Sequence, residues 1–251
     1  MRQTHYWPVI IVEAKDAQRQ KITIRHKKYY IRKSVLSELR HSPNPRSSHL
    51  PQHPTLHSPQ ATVDKIRGWA TELGFQQLGI TGVDLGEHEA YLQKWLDAGY
   101  HGSMAYMARH GSKRSRPAEL VPGTLRVISL RMDYLERDTQ PLHILESPQK
   151  AYISRYTLGR DYHKLIRKRL SQLASRIEAE LGGGQFRAFV DSAPVLERAA
   201  AEQAGLGWIA KNTMLINRDA GSWFFLGEIF TDLPLPVDEA QDSKHCGTCT
   251  A

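Results

Sequence analysis

The chain has 251 residues, 40% of them apolar and 24% charged, which is an ordinary globular composition with room for one or two domains. No stretch approaches the roughly 18 uncharged apolar residues of a membrane span, and the apolar run Val9–Val12 is broken at once by Glu13 and Lys15, which argues against membrane insertion and secretion. The net charge of +8 lies entirely in the first quarter, because residues 1–60 hold 11 Lys/Arg against 3 Asp/Glu while residues 61–251 hold 23 of each.

That first quarter also carries six of the twelve histidines, and residues 42–60 read SPNPRSSHLPQHPTLHSPQ. Such a Pro/Ser/His stretch has too few apolar residues to bury a core, so residues 1–60 are expected to be a disordered basic arm. Arg25, Lys27 and Lys28 beside Tyr29 and Tyr30 offer charge and stacking to a nucleic acid. A solvated tail or a targeting segment would show the same composition, and the rest of the chain is read without the arm.

From Ala61 onward the periodicity becomes regular. Val63, Ile66, Ala70 and Leu73 recur at helical spacing before Gly74, so residues 62–73 are expected to form an amphipathic helix. A second helix fits Glu89–Ala98, ended by Gly99. Leu125–Leu130 (LRVISL) reads as a buried strand. A long helix over Asp161–Leu181 places Tyr162, Leu165, Ile166, Leu170, Leu173, Ile177 and Leu181 on one face, with Gly182–Gly184 as its stop. Phe186–Val190 is the next strand, and Pro194 is expected in the first turn of a helix running to Ala204. Met214–Asn217 and Trp223–Phe230 are expected to pair as a hairpin across Arg218–Gly221. The fold class expected is mixed α/β (α+β).

Several motifs bear on chemistry. Neither GxGxxG after a strand nor GxxxxGK[ST] occurs, which removes the commonest nucleotide-binding readings. The two cysteines form Cys246-Gly-Thr-Cys249, a spacing that brings two thiolates to one metal, to a cluster or to each other. A ferredoxin-type run would place its third cysteine at position 252. Asp191 follows a strand, where it is either a helix cap or, if burial raises its affinity for a proton, an acid; Ser192 is as well placed for capping. Gly205, Gly207, Lys211 and Asn212 suit either a turn after a helix or a loop whose backbone approaches a flat ligand. Arg109-His-Gly-Ser-Lys-Arg114-Ser-Arg116 is either a solvated basic loop or a grip on phosphates or carboxylates.

In combination and order, the stretches GYHGSMAYMARH, RSRPAELVPGTLRVISL, YTLGRDYHKLIRKRL, VDSAPVLERAAAEQAGLGWIAKNTMLI, GSWFFLGEIFTDLPL and CGTCTA resemble the epoxyqueuosine reductase family, over about Ala61–Ala251. The resemblance implies a cytoplasmic, monomeric, cobalamin-dependent iron–sulfur enzyme. Such an enzyme removes the epoxide oxygen from epoxyqueuosine at the wobble position of tRNA, with electrons passed from an external donor through two 4Fe–4S clusters. The basic arm at 1–60 has no counterpart in the resemblance, which implies a cobalamin-binding catalytic domain at 61–240 and the start of a ferredoxin-like 4Fe–4S segment at 241–251, cut off before a full ligand set. By position in the matching motifs, Asp191 corresponds to the proton donor and touches the cofactor. Arg114, Ser154, Leu215 and Leu226 correspond to further cobalamin contacts, the leucines through backbone, and Cys246 and Cys249 to the first two cluster ligands. The alternatives are a corrinoid and iron–sulfur reductive dehalogenase relative, or an inactive fragment that binds cobalamin or RNA.

Overall fold

In the computed structural model, which describes residues 58–135, 139–240 and 245–248, regular structure begins with α1 (Pro59–Glu72), two residues inside the arm assigned to 1–60. The remainder of that arm lies outside the described residues. Pro59 occupies the first turn of α1, where a missing N–H leaves no bond unmade, and Val63, Ile66 and Ala70 are buried on its inner face. The chain continues through β1 (Gln77–Thr81), α2 (His88–Asp97), α3 (Pro117–Leu120) and β2 (Arg126–Asp133). Residues Gln140–Tyr152 form a separate unit containing α4 (Pro141–Leu145). The main unit resumes with α5 (Tyr162–Leu181), β3 (Phe186–Phe189), α6 (Glu197–Gln203), β4 (Trp208–Ile209), β5 (Leu215–Ile216) and β6 (Phe224–Thr231).

The four longer strands make one antiparallel sheet in the order β1-β2-β6-β3, with Ser129 opposite Glu228 and Phe189 opposite the same glutamate from the other side. Alternation along the strands divides the sheet's two faces. Ile80, Ile128, Leu130 and Ile229 point toward α1 and α5, where Ile66, Ile166, Leu170, Leu173 and Ile177 are all fully buried. Val127 and Phe230 point the other way, against Val195, Ala199 and Ala200 at α6. Two glycines set these spacings. A Cβ on Gly227 would lie 2.9 Å from Leu170 Cδ1, so α5 sits against bare backbone. A Cβ on Gly79 would lie 1.9 Å from the carbonyl oxygen of Ala204, so the end of α6 sits against β1 in the same way.

The termini of α5 follow from sequence. Asp161 is the N-cap and accepts the His163 N–H at 3.0 Å; Gly182 adopts φ +72° and donates its N–H to Glu178 O at 2.9 Å.

Two expectations are corrected. The helix after β3 begins at Glu197 with Leu196 at its N-cap, so Pro194 precedes the helix and neither Asp191 nor Ser192 caps it. Residues 191–196 are used instead in a bent loop, because the Glu197 side chain turns back to accept the Asp191 N–H. The hairpin between 214–217 and 223–230 does not form. Both edges of β6 are taken by β2 and β3, and β5 pairs with β4. Only an Asn217–Gly221 bridge closes the intervening turn. The Asn217 side chain supports it, accepting the N–H groups of Asp219 and Ala220 while donating to Leu206 O at 2.7 Å.

Candidate active site

The start of α5 faces the loop after β3, and there three side chains converge on one oxygen. Tyr162 donates its hydroxyl to Asp191 Oδ2 at 2.8 Å, and His163 Nε2 lies 2.8 Å from the same oxygen. On its other side the imidazole Nδ1 is 3.1 Å from Asp161 Oδ1. A neutral imidazole donates from one nitrogen only, so the two contacts together require either a ring protonated twice or a proton on a carboxyl. The Tyr162 ring stacks on Phe225 of β6, with centroids 4.0 Å apart and planes 10° from parallel, and also on the His163 ring. Burial, then the Asp191 carboxylate, push the Tyr162 phenol well above its ordinary range, so it stays a donor at physiological pH. Partial desolvation opposes the effect at Asp161, but the hydrogen bonds from His163 prevail and hold that carboxyl below its usual range.

Asp191 itself is strained and open. Its φ of +47° is left-handed, a region that side chains other than Gly, Asn and Asp seldom enter. Its side chain is 57% exposed. Thr213, at φ +64°, is the other non-glycine residue with positive φ among the described residues. Consecutive residues of α6 hold the two turns: Glu197 accepts the Asp191 N–H, and Arg198 donates to Thr213 O. Glu197 is half-buried and is raised to about 7, first by desolvation and further by the Asp191 charge, against the lowering effect of the Asp191 N–H. Its neighbour across the fold is Glu228, fully buried in the middle of β6 and raised well above the carboxylate range by burial and by Glu197.

Beside this cluster a cleft of about 400 Å³ is lined by Tyr162, Phe225, Met132, Arg155 and Arg169. The residues singled out from sequence fall around the fold in different settings. Ser154 is exposed next to Arg155 and its carbonyl accepts from Thr157. Leu215 is buried and Leu226 half-buried in one apolar patch with Ala201, Ala204 and Leu206. Arg114 is only 9% exposed, and its guanidinium donates to the carbonyls of Met107 and Tyr106, both at 3.3 Å. In the same loop Arg116 is forked onto Glu89 and paired with Glu119. The backbone approach expected of Gly205 and Gly207 is made to the protein itself: a Cβ would lie 2.6 Å from Glu239 O and 2.2 Å from Ile216 O, respectively. Cys246 is half-buried, and Cys249 lies outside the described residues. Among the described residues no three His, Cys, Asp or Glu side chains are grouped to hold a metal ion, and no helix is long and apolar enough to cross a membrane.

Sequence reasoning placed Asp191 but not its partners. Tyr162 reads as one more apolar position of α5, although Asp161 and His163 around it mark a polar helix start. Glu228 had the plainest signal, a single charge inside the apolar run Phe224–Phe230.

Residues 114–192 match the family model described as epoxyqueuosine reductase QueG, DUF1730. The epoxyqueuosine reductase of Pseudomonas aeruginosa is 72% identical over 193 residues, which is 77% of this chain and 54% of that protein. That of Vibrio cholerae is 57% identical over 192 residues, 76% of this chain and 52% of that protein. The fold matches a crystal structure of epoxyqueuosine reductase with an epoxyqueuosine-modified tRNA-Tyr stem loop, with a TM-score of 0.65 at 23% identity, over 77% of this chain and 51% of that one. The chain spans about half the length of the curated relatives it matches. Over these matched residues the chain belongs to the epoxyqueuosine reductase family.

Proposed function

We propose that this chain carries the catalytic part of a tRNA-modifying reductase that converts epoxyqueuosine to queuosine, with Asp191 as the proton donor. The observation that carries the proposal is the convergence of the Tyr162 hydroxyl and His163 Nε2 on Asp191 Oδ2, each at 2.8 Å. Removing an epoxide oxygen as water consumes two electrons and two protons. The departing oxygen is a poor leaving group unless a proton reaches it as the carbon–oxygen bond breaks, and a positioned acid contributes about 10²–10⁴-fold to such a step. Asp191 supplies that proton. Tyr162 and His163 stabilise the carboxylate left behind, and His163 Nε2 is placed to return a proton to Oδ2 from solvent.

The residues present suit a corrinoid in part. The exposed Ser154 beside Arg155 and the stacked Tyr162–Phe225 rings lining the cleft offer polar donors and flat apolar surface, whereas Leu215 is buried away from it. The Arg114 side chain is engaged by its own loop and contributes by shaping it. When bound, reduced cobalamin supplies the electrons. Covering Asp191 with a large apolar ligand also favours the protonated carboxyl, the form a donor needs. For a 4Fe–4S cluster the fit is incomplete, since the two cysteines of this chain are half of the four thiolates such a cluster takes; no step here depends on one.

The test is an anaerobic titration of the chain with cobalamin, read by the visible spectrum, followed by turnover of an epoxyqueuosine-modified stem loop with a chemical reductant. Asp191→Asn should bind cobalamin as the parent does and lose at least 100-fold in rate. Near-normal turnover by Asp191→Asn at neutral pH would refute its role, and an unshifted corrinoid spectrum with the parent would refute the assignment of the cofactor to this domain.

A further inference from the structure

Glu228 sits at the centre of the sheet, 0% exposed, on one of its two inner strands and on the α6 face. Among the described residues no hydrogen-bond donor reaches either of its carboxyl oxygens. Its register neighbours are Ser129 on β2 and Phe189 on β3. Among the described residues the charged groups of the elements packed there make no bond to it, although Arg131 Nε and Nη1 also lack a hydrogen-bond partner. Arg131, diagonal to it on β2, lies 3.2 Å from Asp133. Arg187 on β3 sits over the Phe189 ring. Arg198 on α6 bonds Thr213 O, and Glu202, one helical turn on, is met by His88 and the Ile209 N–H. The group that does meet Glu228 is a second carboxyl, that of Glu197, which in turn accepts the Asp191 N–H.

A bare carboxylate in such a place costs several kcal/mol, and two in contact cost more. The pair can bond to itself only when one member carries a proton. The more deeply buried Glu228 is the natural holder, donating to a Glu197 carboxylate whose remaining capacity is spent on Asp191.

We infer that Glu197 and Glu228 hold one proton between them at neutral pH and act as positioning residues, fixing the left-handed Asp191 turn so that its carboxyl meets Tyr162 and His163. This rests on Asp191 being the proton donor. The strain of a non-glycine residue at φ +47° is held by the bond to Glu197, and Glu197 can point there because Glu228 arrives neutral rather than as a second negative charge. A buried proton thus stands behind the site without being the one transferred.

The test uses the whole 251-residue chain. Infrared spectra at pH 8, where Glu197 is ionised, should show a buried carboxylic acid C=O band that shifts in D₂O, vanishes in Glu228→Gln and persists in Asp191→Asn. Amide exchange at Asp191 should quicken at least tenfold in Glu197→Ala and return to the parent rate in Glu197→Gln, whose amide oxygen still accepts. A band that survives Glu228→Gln, or an Asp191 amide that Glu197→Ala leaves protected, overturns the pair. If the band and the exchange behave as expected while Asp191→Asn turns over normally, it is the donor assignment, and with it the positioning role, that falls.

Discussion

The buried carboxyl pair makes folding stability fall as pH rises through neutrality, opposite to the usual effect of salt-bridged carboxylates. Burial pushes the Glu197 carboxyl up to about 7 in the folded protein from the 4.5 of a free glutamate, so between those values the native state binds more protons than the unfolded chain. The stabilisation is complete below about pH 4.5 and is lost as pH rises through 7. At 1.36 kcal/mol per pH unit the difference amounts to roughly 3 kcal/mol, a large part of a typical total of about 5–15 kcal/mol. Glu228 acts in the same direction. Urea unfolding of the chain in half-unit steps from pH 5 to 8 measures this, and with a slope near 2 kcal/mol/M the midpoint should drop by on the order of 1 M. Glu228→Gln removes the contribution of Glu228 itself and should make the decline shallower, leaving the share that the burial of Glu197 sets. Parallel curves for the parent and Glu228→Gln across that range would refute the reasoning, because every other titrating group is common to both proteins.

Three further substitutions probe the frame around the site. Leu170→Ala opens a cavity where α5 meets Gly227 and should cost about 3–4 kcal/mol in urea unfolding; a loss under 1 kcal/mol would mean that the helix collapses onto the sheet. Gly79→Ala drives a methyl into the Ala204 carbonyl and should cost about 3 kcal/mol or more, whereas an unchanged midpoint would show that α6 retreats freely. Asp161→Ala removes the cap of α5 and the oxygen facing His163 Nδ1, and should lower stability by about 1 kcal/mol in thermal unfolding; no loss would mean that the His163 N–H finds an equal acceptor in water.

The elements legible in the sequence were those whose pattern is local. Ile166, Leu170, Leu173 and Ile177 repeat at helical spacing, and Asp161 and Gly182 bracket them, so α5 could be read within a residue of its ends. β1 passed unread because Gln77–Thr81 is short and carries Gly79, which looks like a break until α6 is seen to need the room. The false hairpin had a different origin. Its strands are near in sequence and turn-linked, but β6 pairs with segments roughly 100 and 40 residues upstream, and no local signal records that competition. In the site, a polar residue after a strand pointed to Asp191, and the charge pattern pointed to the Arg109–Arg116 loop. That Arg114 turns inward to its own carbonyls, and that the Tyr162 hydroxyl serves Asp191, depend on where α5 and the loops come to rest.

The strand order also dictates when this sheet can exist on a growing chain. β1 and β2 can pair as soon as residue 133 is free, but among the described residues β3 bonds only to β6, whose last residue is Thr231. At synthesis rates of about 5–20 residues per second, residues 186–189 wait seconds with both edges open, and the part of the α5 face that meets β6 waits with them for Ile229 to arrive. A nascent chain halted anywhere before β6 therefore offers unpaired strand edges and bare apolar helix, a natural substrate for chaperones. The Asp191 turn, tied through Glu197 to a glutamate in that same last strand, is among the latest parts of the molecule to take shape.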